Sequence, residues 1–207
     1  MELPVTSTQT MLPLMEHFYT IQGEGYHSGK AAYFIRLGGC DVGCVWCDVK
    51  DSWSADKFPL TSSYALTQLV ESSGADRVVI TGGEPLMYDL SELTSDLHSA
   101  GKKVHLETSG AYALSGTWDW ICVSPKKFMS PRPEVLARAD ELKVIVFNQS
   151  DFEWALKHAE LVSPACKLFL QPEHSVFSKM IPSIIDFVKQ HPEWRISLQV
   201  HKIMDIP

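Results

Sequence analysis

The stretch Arg77-Val78-Val79-Ile80-Thr81-Gly82-Gly83-Glu84-Pro85 sets a short β-branched apolar run against a turn of glycines, an acid and a proline. A run of that length reads as a buried strand, and the turn as a loop that carries polar groups to the strand's carboxyl end. The same pairing recurs along the chain. Apolar runs at Ala32–Leu37, Lys103–Leu106, Trp120–Val123, Leu142–Phe147, Lys167–Leu170 and Ile196–Val200 predict further strands. Helical spacing marks Ser62–Glu71, Leu90–Ala100, Asp151–Ala159 and Pro182–Gln190, with Leu90, Leu93 and Leu97 forming one apolar face to lay on a sheet. Alternating strands and helices predict an α/β fold of mainly parallel strands with crossover helices, either a doubly wound sheet or a full or partial barrel. No internal repeat, low-complexity tract or interdomain linker interrupts it, so residues 1–207 are expected to form a single domain, with residues 1–14 flexible at its start.

With 45% hydrophobic and 21% charged residues, a chain of 207 residues can bury one sizeable core. No stretch approaches the roughly 20 uninterrupted apolar residues of a membrane span. The N-terminus lacks the basic start and continuous apolar segment of a secretory signal, so export is not expected. A formal net charge of -7 with interspersed signs argues against direct nucleic-acid binding. Five cysteines, three of them within eight residues, make a poor disulfide framework and a good metal-ligand cluster, which fits a reducing cytoplasm.

The unusual residues all fall just past predicted strands: Gly38–Cys47, Thr81–Pro85, Glu107-Thr108-Ser109-Gly110, Ser124-Pro125-Lys126 and Gln171-Pro172-Glu173. In parallel α/β folds the carboxyl ends of the strands converge on one rim, where ligands bind. These scattered motifs are therefore expected to meet in one site.

Cys40-Asp41-Val42-Gly43-Cys44-Val45-Trp46-Cys47 spaces three thiols as C-x3-C-x2-C on a glycine-containing loop. A 4Fe-4S cubane ordinarily takes a cysteine on each iron, and here Cys122 and Cys166 lie far along the chain, so one iron is left open. An open iron can be chelated by the amino and carboxylate groups of S-adenosylmethionine, and electron transfer into the sulfonium then yields a 5'-deoxyadenosyl radical. The bland alternative is a structural zinc site completed by His17 or His27, neither at a customary zinc spacing. In Gly82-Gly83-Glu84 the glycines permit close backbone approach, and carbonyls with Glu84 supply acceptors for an ammonium; an ordinary turn is the competing reading.

The cysteine cluster followed by Thr81-Gly82-Gly83-Glu84-Pro85 resembles the radical S-adenosylmethionine superfamily. Phe18-Tyr19-Thr20-Ile21-Gln22-Gly23-Glu24-Gly25, Tyr33–Cys40, Trp53, and Ser197-Leu198-Gln199-Val200-His201-Lys202 extend the likeness, over nearly the whole chain, to the 7-carboxy-7-deazaguanine synthases of queuosine and 7-deazapurine biosynthesis. That resemblance implies a partial, open TIM-like barrel and a lyase that converts 6-carboxy-5,6,7,8-tetrahydropterin into 7-carboxy-7-deazaguanine with loss of ammonia. It implies catalysis through the cluster ligands Cys40, Cys44 and Cys47. It places Ile21, Gln22, Gly23, Glu24, Arg36, Thr81 and the terminal Pro207 on the pterin substrate. It places Gly83, Glu84, Glu107, Ser109, Ser124, Pro125, Lys126 and Gln171 around S-adenosylmethionine. Homodimerisation, a flavodoxin-like or other reductant and Mg2+ come with the same likeness.

Some residues keep a second reading. Arg36 suits bidentate pairing with a carboxylate, or forms a structural ion pair; Glu107–Gly110 also reads as a cap or turn. The family commonly has a threonine that helps bind Mg2+ two residues after the last cluster cysteine, where this chain has Val49. Valine offers magnesium no oxygen, so the ion is held by substrate, water and backbone, by Asp48 or Asp51, or is dispensable, and its stimulation is expected to be weaker or differently liganded. A glycyl-radical activating enzyme, or a noncatalytic iron-sulfur or zinc protein, shares the cysteines but does not account for Gln22–Gly25, Arg36 and Pro207.

Overall fold

The computed structural model describes residues 9–207. Residues 1–8 of the stretch expected to be flexible lie outside it, whereas residues 11–14 belong to a strand. Among the described residues nine strands make one sheet: β1 (Met11–Ile21), β2 (Ala31–Leu37), β3 (Leu60–Ser62), β4 (Arg77–Gly82), β5 (Lys103–Thr108), β6 (Trp120–Val123), β7 (Glu141–Val146), β8 (Lys167–Pro172) and β9 (Trp194–Ile196). Their order is β3-β1-β2-β4-β5-β6-β7-β8-β9, antiparallel on both sides of β1 and parallel from β2 to β9. A doubly wound sheet reverses its order at a switch point; here the order from β2 onward never reverses. Crossovers of one hand that always step the same way roll the sheet into an open, partial barrel.

The helices are α1 (Ser63–Ser73), α2 (Ser91–Ser99), α3 (Pro133–Leu136), α4 (Ser150–Ala159), α5 (Phe177–Gln190) and α6 (Val200–Met204). Ser62 caps α1 by accepting from the Ala65 amide at 3.2 Å, and Gly74 ends it with a φ of 72°, which glycine adopts without strain. Because side chains alternate along a strand, one face of the sheet takes the helices and the other lines the barrel. Val78 and Ile80, Val104 and Leu106, and Leu142, Val144 and Val146 pack with Leu66 and Val70 of α1, Leu93 and Leu97 of α2, and Met180 and Ile184 of α5 in one buried core. The intervening residues include Glu107, Lys143 and Gln171, and they turn to the concave side. The barrel interior thus carries charged and amide side chains beside an apolar patch of Ala32, Phe34 and Val79.

Several boundaries differ from the sequence pattern. The strand β1 escapes period-two reading because a bulge between Leu14 and Glu16 and the proline at 13 break its alternation. The helix α5 begins at Phe177, before Pro182, because Met180 and Ile184, one turn apart, are its buried anchors. The expected strand Ile196–Val200 is displaced: β9 ends at Ile196, and the Ser197 hydroxyl donates to Gln171 Oε1 (2.6 Å) while accepting from the Gly25 amide (2.9 Å). The chain then crosses to the first strand, with the Val200 amide donating to the Gly23 carbonyl at 3.0 Å. A Cβ at Gly23 would lie 2.3 Å from His201 Nδ1, so only glycine admits the C-terminal segment so closely.

At the rim, the glycine loop after β4 lies backbone to backbone on the cysteine loop. The Gly83 amide donates to the Leu37 carbonyl (2.9 Å) and the Glu84 amide to the Gly39 carbonyl (2.8 Å). A Cβ at Gly82 would stand 2.2 Å from the Leu37 oxygen, and one at Gly83 2.2 Å from the Gly39 oxygen. Glu84 corrects an expectation. It does not offer its carboxylate to a ligand; it is 1% exposed and ties the loop after β4 to the loop after β5. One oxygen accepts from the Leu86 amide (3.0 Å) and Thr108 Oγ1 (2.5 Å), the other from the Ser109 amide (2.8 Å) and Ser109 Oγ (2.5 Å). Its carbonyl is also taken, by the Met87 amide. Four donors saturate the group. Glu84→Gln replaces one accepting oxygen with a donor and strands two buried partners, at about 2–4 kcal/mol. Thermal unfolding is expected to fall by roughly 5–10 °C; an unchanged Tm with weakened S-adenosylmethionine binding would return Glu84 to the ligands.

Candidate active site

The strand ends enclose a cleft of about 270 Å³. Cys40, Cys44 and Cys47 all face it from the loop after β2. That loop is held by the Gly39 amide on the Ser52 carbonyl (2.6 Å), the Cys40 amide on the Trp53 carbonyl (3.2 Å) and the Cys47 amide on the Cys44 carbonyl (3.1 Å). All five cysteines are free thiols, and Cys122 and Cys166 lie outside the cleft. Burial pushes the Cys40 thiol up to about 11 and raises Cys44 as well. Three thiols that face one cavity, with no fourth cysteine among its lining, are the donor set that a 4Fe-4S cluster with one open iron takes. The proposed zinc partners are elsewhere: His17 stacks on Tyr33, and His27 sits against His105 and Trp120 with ring centroids 4.6 Å away.

Val49 lines the cleft without a side-chain oxygen, Asp48 also lines it with its carboxylate 3.4 Å from Lys202 Nζ, and Asp51 is exposed outside the cleft. Around the cysteine loop, Tyr112 donates its hydroxyl to Asp41. Lys126 donates to Ser124 Oγ at 2.6 Å and sits 5.4 Å from the centroid of the Trp46 ring, a cation-π distance. Burial draws the Lys126 pKa below the ordinary lysine value.

Arg36, in register with Thr81 across β2 and β4, forms the structural ion pair, its Nε donating to Glu16 Oε1 at 2.6 Å, and it also lines the cleft. The floor is one hydrogen-bonded network. Gln22 Nε2 donates to Glu107 Oε1 (2.8 Å), and Gln22 Oε1 accepts from the Glu24 amide (3.0 Å). Gln199 Nε2 donates to Glu24 Oε1 (2.8 Å), while Lys143 Nζ lies 2.6 Å from Glu24 Oε2 and 3.4 Å from Glu107 Oε2. Burial by itself would raise the Glu24 pKa, but the Lys143 ammonium, with Gln199, holds it down to about 2. Burial opposes the charge on Lys143, and Glu107 and Glu24 more than offset it, keeping its pKa well above the lysine range.

Of the residues assigned to the site from sequence, Ile21, Gln22, Gly23, Glu24, Arg36, Thr81 and Pro207 line the cleft. So do Gly83, Glu107, Ser109, Ser124, Lys126 and Gln171. Glu84 and Pro125 do not. Pro125 is buried between two residues that face the cavity, and the alternation of an extended segment turns it away. Lys143, Gln199 and His201 reach the cleft although no role was read for them. A lone lysine inside the apolar run Leu142–Phe147 is the signal that exposes Lys143, the same signal that singles out Arg36.

A model of the radical SAM superfamily matches residues 34–124. The 7-carboxy-7-deazaguanine synthase of Flavobacterium psychrophilum is 53% identical, covering 95% of this chain and 93% of its own. The protein of that name from Synechocystis sp. is 43% identical over 98% of both chains. The crystal structure of QueE from Escherichia coli superposes with a TM-score of 0.83 at 34% identity, over 91% of this chain and 94% of that one. Identity of this level over almost the whole of both chains, with the cysteine loop and glycine loop locked together at one rim, leads to a single family: the chain belongs to the 7-carboxy-7-deazaguanine synthases of the radical S-adenosylmethionine superfamily.

Proposed function

We propose that the protein is a radical S-adenosylmethionine lyase that converts 6-carboxy-5,6,7,8-tetrahydropterin into 7-carboxy-7-deazaguanine and ammonia. The observation that carries this reading is the meeting, in one cleft, of three unpaired thiols with a floor of carboxylates around a lysine and with an arginine. Product and ammonia together contain the atoms of the substrate, so the conversion consumes no external oxidant or reductant beyond the electron that starts it. Cys40, Cys44 and Cys47 would hold a 4Fe-4S cluster, which with S-adenosylmethionine supplies a 5'-deoxyadenosyl radical able to take hydrogen from C6 of the pterin.

The protein's own residues bind and orient. The guanidinium of Arg36 pairs with the substrate carboxylate, and Glu24 accepts from the N–H groups of the pyrimidine edge. Ile21, Gln22 and Gly23 offer backbone groups, Thr81 a hydroxyl, and Pro207 the terminal carboxylate, while the C-terminal segment excludes water. Gly83, Ser109, Ser124, Lys126, Glu107 and Gln171 surround the adenosyl ligand. The reading takes the enzyme as one cytoplasmic domain working as a homodimer with a flavodoxin-like reductant, on the strength of the family likeness. Among the described residues no helix is long and apolar enough to cross a membrane. A glycyl-radical activating enzyme is not favoured, since it leaves Arg36 and the charged floor without a task. Mg2+ is taken as dispensable, with Arg36 meeting the carboxylate instead.

Anaerobically reconstituted protein given reductant, S-adenosylmethionine and 6-carboxytetrahydropterin is expected to yield 5'-deoxyadenosine and the deazaguanine product, and Cys44→Ala to lose both. Formation of 5'-deoxyadenosine alone would keep the radical chemistry and discard the substrate. In buffer freed of Mg2+ the rate is expected to change by less than about twofold, and Val49→Thr, which restores an oxygen donor, to become stimulated by the ion. A wild-type enzyme inactive without Mg2+ and rescued by it alone would contradict the magnesium assignment.

A further inference from the structure

Lys143 has no part in the roles assigned above, yet it stands at the centre of the floor. Its side chain is 4% exposed. Burying an ammonium costs several kcal/mol of desolvation, and an apolar residue of similar volume would avoid that cost. The neighbours on β7 that face the helices, Leu142 and Val144, are apolar and fully buried. On the concave side the ion is kept, between two carboxylates that both line the cleft. Each carboxylate gives its other oxygen to a glutamine, Gln199 on Glu24 and Gln22 on Glu107. One ammonium thus fixes two acceptors contributed by the loop after β1 and by β5.

We propose that Lys143 is a positioning residue that sets substrate specificity, holding Glu24, with Glu107 beside it, as an ionised acceptor for the adjacent N–H donors of an aminopyrimidinone edge. This rests on the pterin reading of the cleft and deepens it. A carboxylate accepts on both oxygens, whereas a protonated acid turns one of them into a donor and opposes such an edge.

The charged and titratable groups that meet this pair are few. Glu24 faces Lys143 from β7, His201 from α6 and, from the loop after β6, Lys126, whose charge also acts on Lys143. Lys143 faces Glu24 and Glu107, and beyond them Cys122 of β6 and Glu141. Without Lys143, burial is opposed only by the Gln199 hydrogen bond and the His201 charge, and the Glu24 pKa moves upward. Glu24 then takes a proton as pH falls, and acceptance is lost in the acid direction. Protonation of His201 over the same range favours the ionised carboxylate and works with the opposite sign.

The test is equilibrium binding of 6-carboxypterin, an oxidised and unreactive form of the substrate, to reconstituted protein holding S-adenosylmethionine, from about pH 5 to about pH 7. Wild type is expected to bind with an affinity constant within about twofold across the range. Lys143→Met is expected to bind roughly tenfold more weakly at the upper end and progressively more weakly toward the lower. Adding Glu24→Gln to Lys143→Met removes the titrating acid, so weak binding with no pH slope is expected. A Lys143→Met profile as flat and as tight as wild type, or a slope that survives in the double variant, overturns the proposal. If Lys143→Met is not recovered folded, the double variant, with one buried carboxylate fewer, decides alone: wild-type affinity overturns the role of Lys143. Wild type that holds S-adenosylmethionine but binds no pterin at any pH discards the substrate reading itself, a failure distinct from the others.

Discussion

Two loops meet at the rim with no side chain between them, and the arrangement of the site depends on that contact. Gly83 and Glu84 donate their amides to carbonyls of the cysteine-bearing loop, at distances that a Cβ on Gly82 or Gly83 would forbid. The thiols and the glycine loop are thereby fixed relative to each other before any ligand arrives. Glu84 extends the lock to the third strand end by accepting from Thr108 and Ser109. Pre-organisation of this kind matters for a reaction that generates a radical, because the reacting atoms must be held close and water kept away.

Beneath the rim, strand alternation separates two environments. The convex face of the sheet meets the helices through aliphatic side chains, and the concave face carries Glu24, Glu107, Lys143 and Gln171 into the cleft. A buried ion pair is weak evidence for stability, since desolvation consumes much of its attraction. Here the charges line the cleft, and the Lys143 ammonium holds Glu24 ionised. The floor is organised for recognition more than for stability.

The parallel strands and the residues at their carboxyl ends were legible from sequence because short apolar runs ending in polar turns have few other interpretations. The thiols were legible from spacing alone. What escaped was of two kinds. Irregular backbone hid β1, whose bulge and Pro13 erase the period of two, and the turn at Ser197, where one hydroxyl diverts what looks like a strand. Side-chain partnership hid the rest. Whether the carboxylate of Glu84 reaches a ligand or is consumed by four donors depends on residues more than twenty positions away, and the centrality of Lys143 depends on Glu24, over a hundred positions distant. No local pattern contains such information.

Three cysteines leave one iron of the cluster open to S-adenosylmethionine beside the locked glycine loop. Mössbauer spectra of anaerobically reconstituted protein test it most directly. Addition of S-adenosylmethionine is predicted to set one iron apart from the other three. A spectrum unchanged by S-adenosylmethionine, with all four irons in equivalent sulfur coordination, would contradict the account.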